Sequence, residues 1–174
     1  HDSFRTARAL ETFTGHPVLG QIPLIMTRTR KKLLKYLSDK PTSAAAEAVR
    51  NLRTSVLLSN ADAPPQVIIS TSSLPGEGKT TQALALAQNM AGLGKKVLVI
   101  EGDIRRRMFR KYFNIEDGGG MLAVTEGELT VRKAVWHNEM LGVDILAGDK
   151  TRINAADLFS SDAFAKLMRE ARKA

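Results

Sequence analysis

A glycine-rich turn between an apolar run and an alanine-rich segment constrains this sequence more than any other feature. The apolar run is QVIIS, residues 66–70, and the turn SSLPGEGKTT covers residues 72–81. A short β-branched apolar run is typical of a strand that is buried on both faces of a parallel sheet. The segment from residue 79 onward predicts a helix that ends at Gly92 or Gly94. Strand, turn and helix in this order predict the start of a βαβ unit.

The later segments continue this alternation of strands and helices. The run KKVLVIEGD, residues 95–103, predicts a second buried strand, parallel to the first and joined to it by a right-handed crossover. VDILAG, residues 143–148, predicts a third strand. Residues 104–113 predict a helix, residues 116–120 a mobile loop, and residues 160–174 a final helix capped by Ser160 or Ser161. The chain is therefore expected to form an α/β domain with a mainly parallel sheet.

The turn fits the pattern G-x-x-x-x-G-K-[ST], with Ser73 where the first glycine is usual. Gly76 and Gly78 allow successive backbone N–H groups to converge on an anion, which a Cβ would obstruct. The helix start adds a partial positive charge and further N–H donors. Lys79 supplies a cation for the outer phosphates, and the Thr80 hydroxyl is a hard oxygen ligand suited to Mg²⁺. The turn is predicted to hold a nucleoside triphosphate.

Two carboxylates follow the second predicted strand. Glu101 and Asp103 lie beyond its carboxyl end, where open α/β sheets bind ligands. They are placed to orient Mg²⁺ or its water ligands. An exposed acidic loop without such a role is the alternative.

A helix is predicted from residue 42 onward, with Thr42 or Ser43 as its cap. Its EAVRNLR segment carries charges on a face turned away from the apolar stripe. On the residues alone, a salt-bridged surface is the simpler interpretation of those charges. The charged residues are Glu47, Arg50 and Arg53, and the stripe is Ala45, Val49, Leu52 and Val56.

Residues 1–41 differ from the rest, and we treat them as an arm that precedes a domain of residues 42–174. The arm contains three of the six prolines and the basic run TRTRKKLLKYL, which predicts a short helix around residues 30–37. The formal charge of +8 indicates an anionic partner. With only 5% aromatic residues and no stacking platform interleaved with the basic residues, nucleic acid is disfavoured as a partner.

Absent residue types exclude other classes. The chain has no cysteine, so it carries neither disulfides nor a thiolate metal site. The three histidines have no ligand spacing and are expected to be structural or incidental. We expect no membrane-spanning helix, because no apolar run reaches about 18 residues.

Three motifs in this order resemble those of the bacterial tyrosine kinases. They are EAVRNLR, TSSLPGEGKTT and VLVIEGDIR, and the likeness extends from about Leu19 to the last residue. These kinases form the cytoplasmic domain of polysaccharide co-polymerases, which control the chain length and export of exopolysaccharide or capsule. The resemblance implies a three-layer P-loop NTPase-like fold. It also implies a protein tyrosine autokinase that phosphorylates tyrosines of a neighbouring subunit.

The resemblance assigns roles to individual residues. It implies catalytic roles for Lys79 and Asp103, and a magnesium site formed by Thr80, Asp103 and Glu101. It implies a subunit contact that closes a homo-oligomeric ring through Glu47, Arg50 and Arg53. The ATP-binding residues that follow from it are Ser73, Pro75, Gly76, Glu77, Gly78, Lys79, Thr80, Thr81 and Arg105.

The same resemblance implies a location and partners. A transmembrane helix would lie just before residue 1, at the cytoplasmic face of the bacterial inner membrane. The arm would then face anionic lipid, which attracts each basic residue by about 1 kcal/mol. Polysaccharide export proteins are the further expected partners. Neither Tyr36 nor Tyr112 lies in a tyrosine cluster, so neither is expected to be the main acceptor. The basic residues concerned are Arg28, Arg30, Lys31, Lys32 and Lys35.

Several departures keep other functions open. Leu74 stands where partitioning-type P-loop ATPases carry a second lysine, which argues against that class. Glu101 replaces the aspartate that begins the second acidic motif, and its extra methylene displaces the carboxylate. The sequence lacks the later strand that ends in aspartate, so we expect a fragment without turnover of its own. A non-catalytic nucleotide-binding module of the export machinery is the main alternative.

Overall fold

The computed structural model describes residues 4–60, 62–116, 118–149, 151 and 153–173. Parts of the predicted arm, of the loop at 116–120 and of the last helix therefore lie outside the described residues. The chain divides into two compact units, one ending at Asn89 and the other beginning at Met90.

Helices form all the regular structure described in the first unit. Side-chain oxygens of Thr6, Thr29 and Ser43 accept hydrogen bonds from the first turns of the first three helices. Such N-caps satisfy backbone N–H groups that have no partner within a helix. The helices are α1 (Ala7–Thr14), α2 (Arg30–Asp39), α3 (Ala44–Leu58) and α4 (Lys79–Ala91). The last two residues of α4 belong to the second unit.

Helices α2 and α3 pack against each other and bury apolar side chains. Leu34 and Leu37 of α2 are buried, so the arm contributes to a core instead of lying apart from it. The predicted basic helix and the cap Ser43 are confirmed. All four residues of the predicted α3 stripe are buried or half-buried.

The strand predicted at residues 66–70 does not form. These residues have no regular structure, and Ile69 is 87% exposed. A strand exists only when a neighbouring strand takes up its backbone hydrogen bonds. All the strands described lie between residues 98 and 146, in the other unit. The apolar run alone could not show whether such a neighbour is present.

The second unit contains a three-stranded sheet in the order β1-β3-β2. Strands β1 (Leu98–Ile100) and β3 (Val143–Leu146) are parallel, and β2 (Trp136–Asn138) pairs antiparallel with β3. Val99 lies opposite Ile145, and His137 lies opposite Asp144. The helices of this unit are α5 (Met108–Phe113), α6 (Met121–Thr125), α7 (Val131–Ala134), α8 (Ala155–Phe159) and α9 (Asp162–Ala171).

The predicted strands at β1 and β3 are confirmed, whereas β2 was not predicted. The parallel partner of β1 is β3 and not the run at 66–70. The helix predicted from residue 104 begins only at Met108, because a turn comes first: the Arg107 N–H donates to the Asp103 carbonyl at 3.0 Å. Ser161 caps the last helix, as predicted.

An apolar cluster holds the short helices of this unit against β3. Its members are the buried residues Ile104, Met121, Val131, Leu146, Leu158 and Leu167. Beside it, the Phe113 ring lies 5.6 Å from Phe109 and 5.9 Å from Trp136, measured between centroids. No described helix is long and apolar enough to cross a bilayer.

Candidate functional site

The two glycines of the turn, Gly76 and Gly78, have positive backbone φ angles. Gly76 has φ +89° and Gly78 has φ +91°, values that side chains with a Cβ rarely adopt. No atom lies within 4 Å of a Cβ built at Gly76. Glycine is therefore favoured at position 76 by the backbone φ angle and not by a lack of space for a side chain. The open space beside it lets a ligand approach the backbone.

Hydrogen bonds within the turn fix its shape. The Leu74 N–H donates to Glu77 Oε2 at 3.0 Å, and Ser72 Oγ donates to the Leu74 carbonyl at 3.0 Å. Ser70 Oγ donates to the Lys79 carbonyl at 3.1 Å, which joins the approaching chain to the first residue of α4. A carboxylate thus already accepts from one backbone donor of the turn. The Leu74 N–H is therefore already used within the turn.

Two arginines from the preceding helices bind opposite ends of α4. Arg30 Nε, at the start of α2, donates to Thr81 Oγ1 at 2.9 Å. Arg53 Nη1, in α3, donates to Asn89 Oδ1 at 2.7 Å. The sequence did not reveal the Arg30 contact, because its partners lie 51 residues apart and no local pattern connects them.

Of the three charged residues of α3, Glu47 is exposed, whereas Arg50 and Arg53 are half-buried. Glu47 and Arg50 form an ion pair one turn apart, and Arg50 Nη1 also donates to the Pro41 carbonyl at 2.5 Å. Arg53 is half-buried beside α4. Their part in a subunit contact stays a prediction.

Glu101 is buried at the end of β1, with 3% of its surface exposed. Its Oε1 accepts from the Phe109 N–H and its Oε2 from the Gly148 N–H, both at 2.9 Å. Burial raises the pKa of Glu101, and the nearby Asp103 charge adds to this, while the backbone donors oppose it. The side chain therefore joins the ends of β1 and β3 to the start of α5.

Asp103 and Arg105 lie in the turn between β1 and α5. Asp103 Oδ1 accepts from the Arg106 N–H at 3.2 Å. Arg105 is exposed. The turn thus holds a carboxylate and a guanidinium beyond the carboxyl end of β1, and their roles at a nucleotide or a metal stay predictions.

Asp149 is a further carboxylate with a structural role, which was not predicted from the sequence. It accepts from the N–H groups of Gly120 and Leu122 at 2.9 and 2.8 Å, and Arg110 Nη2 lies 2.7 Å from its Oδ1. A Cβ at Gly120 would lie 2.4 Å from the Ala147 carbonyl oxygen. The glycine-rich segment, predicted as a mobile loop, is therefore closely packed at this point.

The structure groups the predicted site residues into two sets. Residues 73–81 lie together around the turn of the first unit, and Glu101, Asp103 and Arg105 lie together after β1 in the second. Within the described part of the chain, no cluster of three acidic or histidine side chains could hold a metal ion by itself.

Bacterial tyrosine-protein kinases are similar to this chain in sequence. The tyrosine-protein kinase ptk of Acinetobacter johnsonii is 28% identical over 162 residues, covering 88% of this chain and 22% of ptk. YwqD of Bacillus subtilis is 33% identical over 132 residues, covering 76% of this chain and 56% of YwqD. No protein-family model matches the chain. The chain thus spans about a fifth of the length of ptk.

A solved kinase domain is similar to this chain in fold. The kinase domain of the Escherichia coli tyrosine kinase ETK gives a TM-score of 0.78 at 27% identity. The match covers 97% of this chain and 68% of that domain. The resemblance to bacterial tyrosine kinases is confirmed. The P-loop type α/β fold expected from it is confirmed by the same match.

Proposed function

We propose that this chain is the ATP-binding part of a bacterial tyrosine kinase that phosphorylates tyrosines of a neighbouring subunit and so controls exopolysaccharide or capsule export. The observation that carries the proposal is the turn at residues 73–81. It combines two glycines at positive φ with a lysine and a threonine at the start of α4. The similarity to tyrosine-protein kinases supports the reaction.

The nucleotide phosphates would lie against the backbone of the turn. Ser73, Pro75, Gly76, Glu77 and Gly78 supply the backbone that bends around them, and the α4 N-terminus adds partial positive charge. Lys79, Thr80, Thr81 and Arg105 are the side chains proposed to contact the nucleotide.

A magnesium ion is part of this proposal. Mg²⁺ takes one or two protein oxygens and completes its shell with water and phosphate, so it does not need an acidic cluster of the kind that is missing from the described residues. Thr80 and Asp103 are the proposed protein ligands. Glu101 was predicted as a third, but its two oxygens already accept backbone N–H groups. When bound, the ion neutralises phosphate charge.

Positioning and charge neutralisation are what the chain contributes to phosphoryl transfer. The turn fixes the phosphates, and Lys79 stabilises the negative charge on the oxygens of the transferred group. Asp103 is proposed to act at the metal or at the acceptor hydroxyl. The acceptor tyrosine comes from an adjacent subunit, held by contacts through Glu47, Arg50 and Arg53.

The basic arm is proposed to lie at the cytoplasmic face of the inner membrane. Arg28, Lys31, Lys32 and Lys35 are exposed at or before α2, where anionic lipid headgroups could reach them. Polysaccharide export proteins are the other proposed partners.

A change at Lys79 tests the nucleotide assignment. Lys79→Met in the full-length protein, incubated with MgATP, should lower phosphotyrosine on an immunoblot about a hundredfold, because an electrostatic contact to transferring phosphate is lost. Lys95→Met is the matched control, since Lys95 is exposed outside the turn. Phosphotyrosine that survives in Lys79→Met would contradict the role of Lys79.

A non-catalytic assembly module is the second candidate, favoured by the engaged carboxylate of Glu101. It predicts that MgATP changes the oligomer size in light scattering while no phosphotyrosine forms. Calorimetric titration with ADP and magnesium separates both proposals from a turn that binds nothing.

A further inference from the structure

Arg30 connects the basic arm to the proposed nucleotide site. It is the first residue of α2, and its Nε donates to Thr81 Oγ1 at 2.9 Å. Arg30 is half-buried, and its Nη1 atom is buried. Thr81 is the third residue of α4 and directly follows Thr80. A guanidinium from the arm therefore lies against the first turn of the helix that begins with Lys79.

Electrostatics make this an unusual place for an arginine. The N-terminus of a helix carries a partial positive charge and favours anions, so a cation held against its first turn is repelled. Partial burial of a guanidinium adds a desolvation cost. Both costs fall when a phosphate occupies the turn, because the added negative charge attracts the guanidinium.

We propose that Arg30 is a positioning residue of the nucleotide site: it holds Thr81 and thereby couples α2 to phosphate bound at the turn. The proposal rests on the nucleotide binding proposed above. Coupling is reciprocal, so a bound nucleotide stabilises the docked position of α2, and a docked α2 raises nucleotide affinity.

Arg53 provides an internal comparison. It binds α4 at Asn89, near the end of the helix, where a cation is favoured whether or not a nucleotide is present. Arg53 therefore serves as a contact that holds α4 without sensing phosphate. Arg30 is distinguished by its position in the first turn.

Nucleotide affinity measures this coupling. Calorimetry of ADP with magnesium on the full-length protein should show about fivefold to tenfold weaker binding for Arg30→Ala, the size expected for one lost hydrogen bond of about 1 kcal/mol. Arg30→Lys keeps the charge but loses the Nε donor, and should recover only part of the affinity. Lys31→Ala removes the same charge from an exposed neighbour in α2 and should change the affinity less than about twofold.

A double-mutant cycle with Thr81→Val identifies the route. If Arg30 acts through Thr81, replacing Arg30 changes the affinity much less in the Thr81→Val background. Arg30→Lys takes its place in the cycle if Arg30→Ala does not fold. Amide exchange supplies a readout independent of affinity: ADP should slow exchange in α2 of the wild type, and this effect should be lost in Arg30→Ala.

The outcomes separate the coupling from the proposed function. If the wild type and Arg30→Ala bind ADP equally well, the coupling is wrong and the proposed function is unaffected. Additive effects in the cycle, or α2 exchange that ignores ADP, also overturn it. Wild-type protein that takes up no nucleotide overturns the proposed function and the coupling together.

Discussion

The carboxylate of Glu101 is buried and bound by the backbone. Its two oxygens reach N–H groups from two separate segments, at Phe109 and Gly148. The buried position raises its pKa, since the charged form loses water. Because the folded pKa lies above the unfolded value, the native state binds this proton more tightly. The contribution of Glu101 to stability is therefore full at low pH and falls as pH rises through the raised folded pKa.

Replacing Glu101 by Gln should destabilise the protein by about 1–3 kcal/mol at low pH, where the contribution of Glu101 is full, because the amide NH₂ cannot accept from a backbone N–H. The part of the pH dependence that comes from Glu101 should disappear as well. Urea unfolding between pH 4 and 8 measures both effects. Glu128→Gln is the control, because Glu128 is exposed in the same unit. Equal stability of the two variants would show that the backbone contacts contribute nothing.

At the scale of elements, the segment at residues 66–70 shows that an apolar, β-branched composition does not by itself produce a strand. Ile69 is 87% exposed, whereas Leu84 in α4 is fully buried, although both are large aliphatic residues of the first unit. Burial in this part of the chain comes from packed helices, and no strand was found among its described residues.

The two residues should respond differently to the same truncation. Leu84→Ala should lower the free energy of unfolding by about 2–5 kcal/mol, because it removes buried methyl groups and leaves a cavity. Ile69→Ala should change it by less than about 0.5 kcal/mol. Chemical denaturation of both variants provides the comparison. A large loss for Ile69→Ala would mean that this segment is covered in solution.

At the scale of the whole molecule, the excess positive charge is concentrated on particular surfaces. The formal charge is +8, and exposed basic residues cluster at α2. A local cluster attracts an anionic surface more strongly than the same charge spread over the chain, because screening limits each charge to about a Debye length.

Vesicle binding should depend on where charge is removed. Combined alanine substitution of Arg28, Lys31 and Lys32 should weaken binding to phosphatidylserine vesicles about fivefold per residue, which follows from roughly 1 kcal/mol each. Lys95, Arg132 and Lys133 are exposed in the second unit. Their combined replacement removes equal charge and should have a smaller effect. Cosedimentation at two salt concentrations measures this, and equal losses would exclude a specific role for the arm.

Local sequence determined those features that depend on neighbouring residues. A hydroxyl before an amphipathic run gave the N-cap at Ser43, and the glycines of the turn gave the positive φ values. Strands β1 and β3 were predictable because both are short apolar runs followed by polar or glycine residues. These properties depend on residues only a few positions apart, so they do not depend on how the rest of the chain folds.

Tertiary structure decided every feature that needs a distant partner. The run at 66–70 has strand composition but no strand, and β2 was missed because its pairing with β3 was not visible in its composition. Glu101 accepts hydrogen bonds from backbone N–H groups 8 and 47 residues away in the sequence. The contact from Arg30 to Thr81 joins residues that are 51 positions apart. Hydrogen bonds and burial depend on which residues come together in the fold. A single sequence does not show which of its distant residues are in contact.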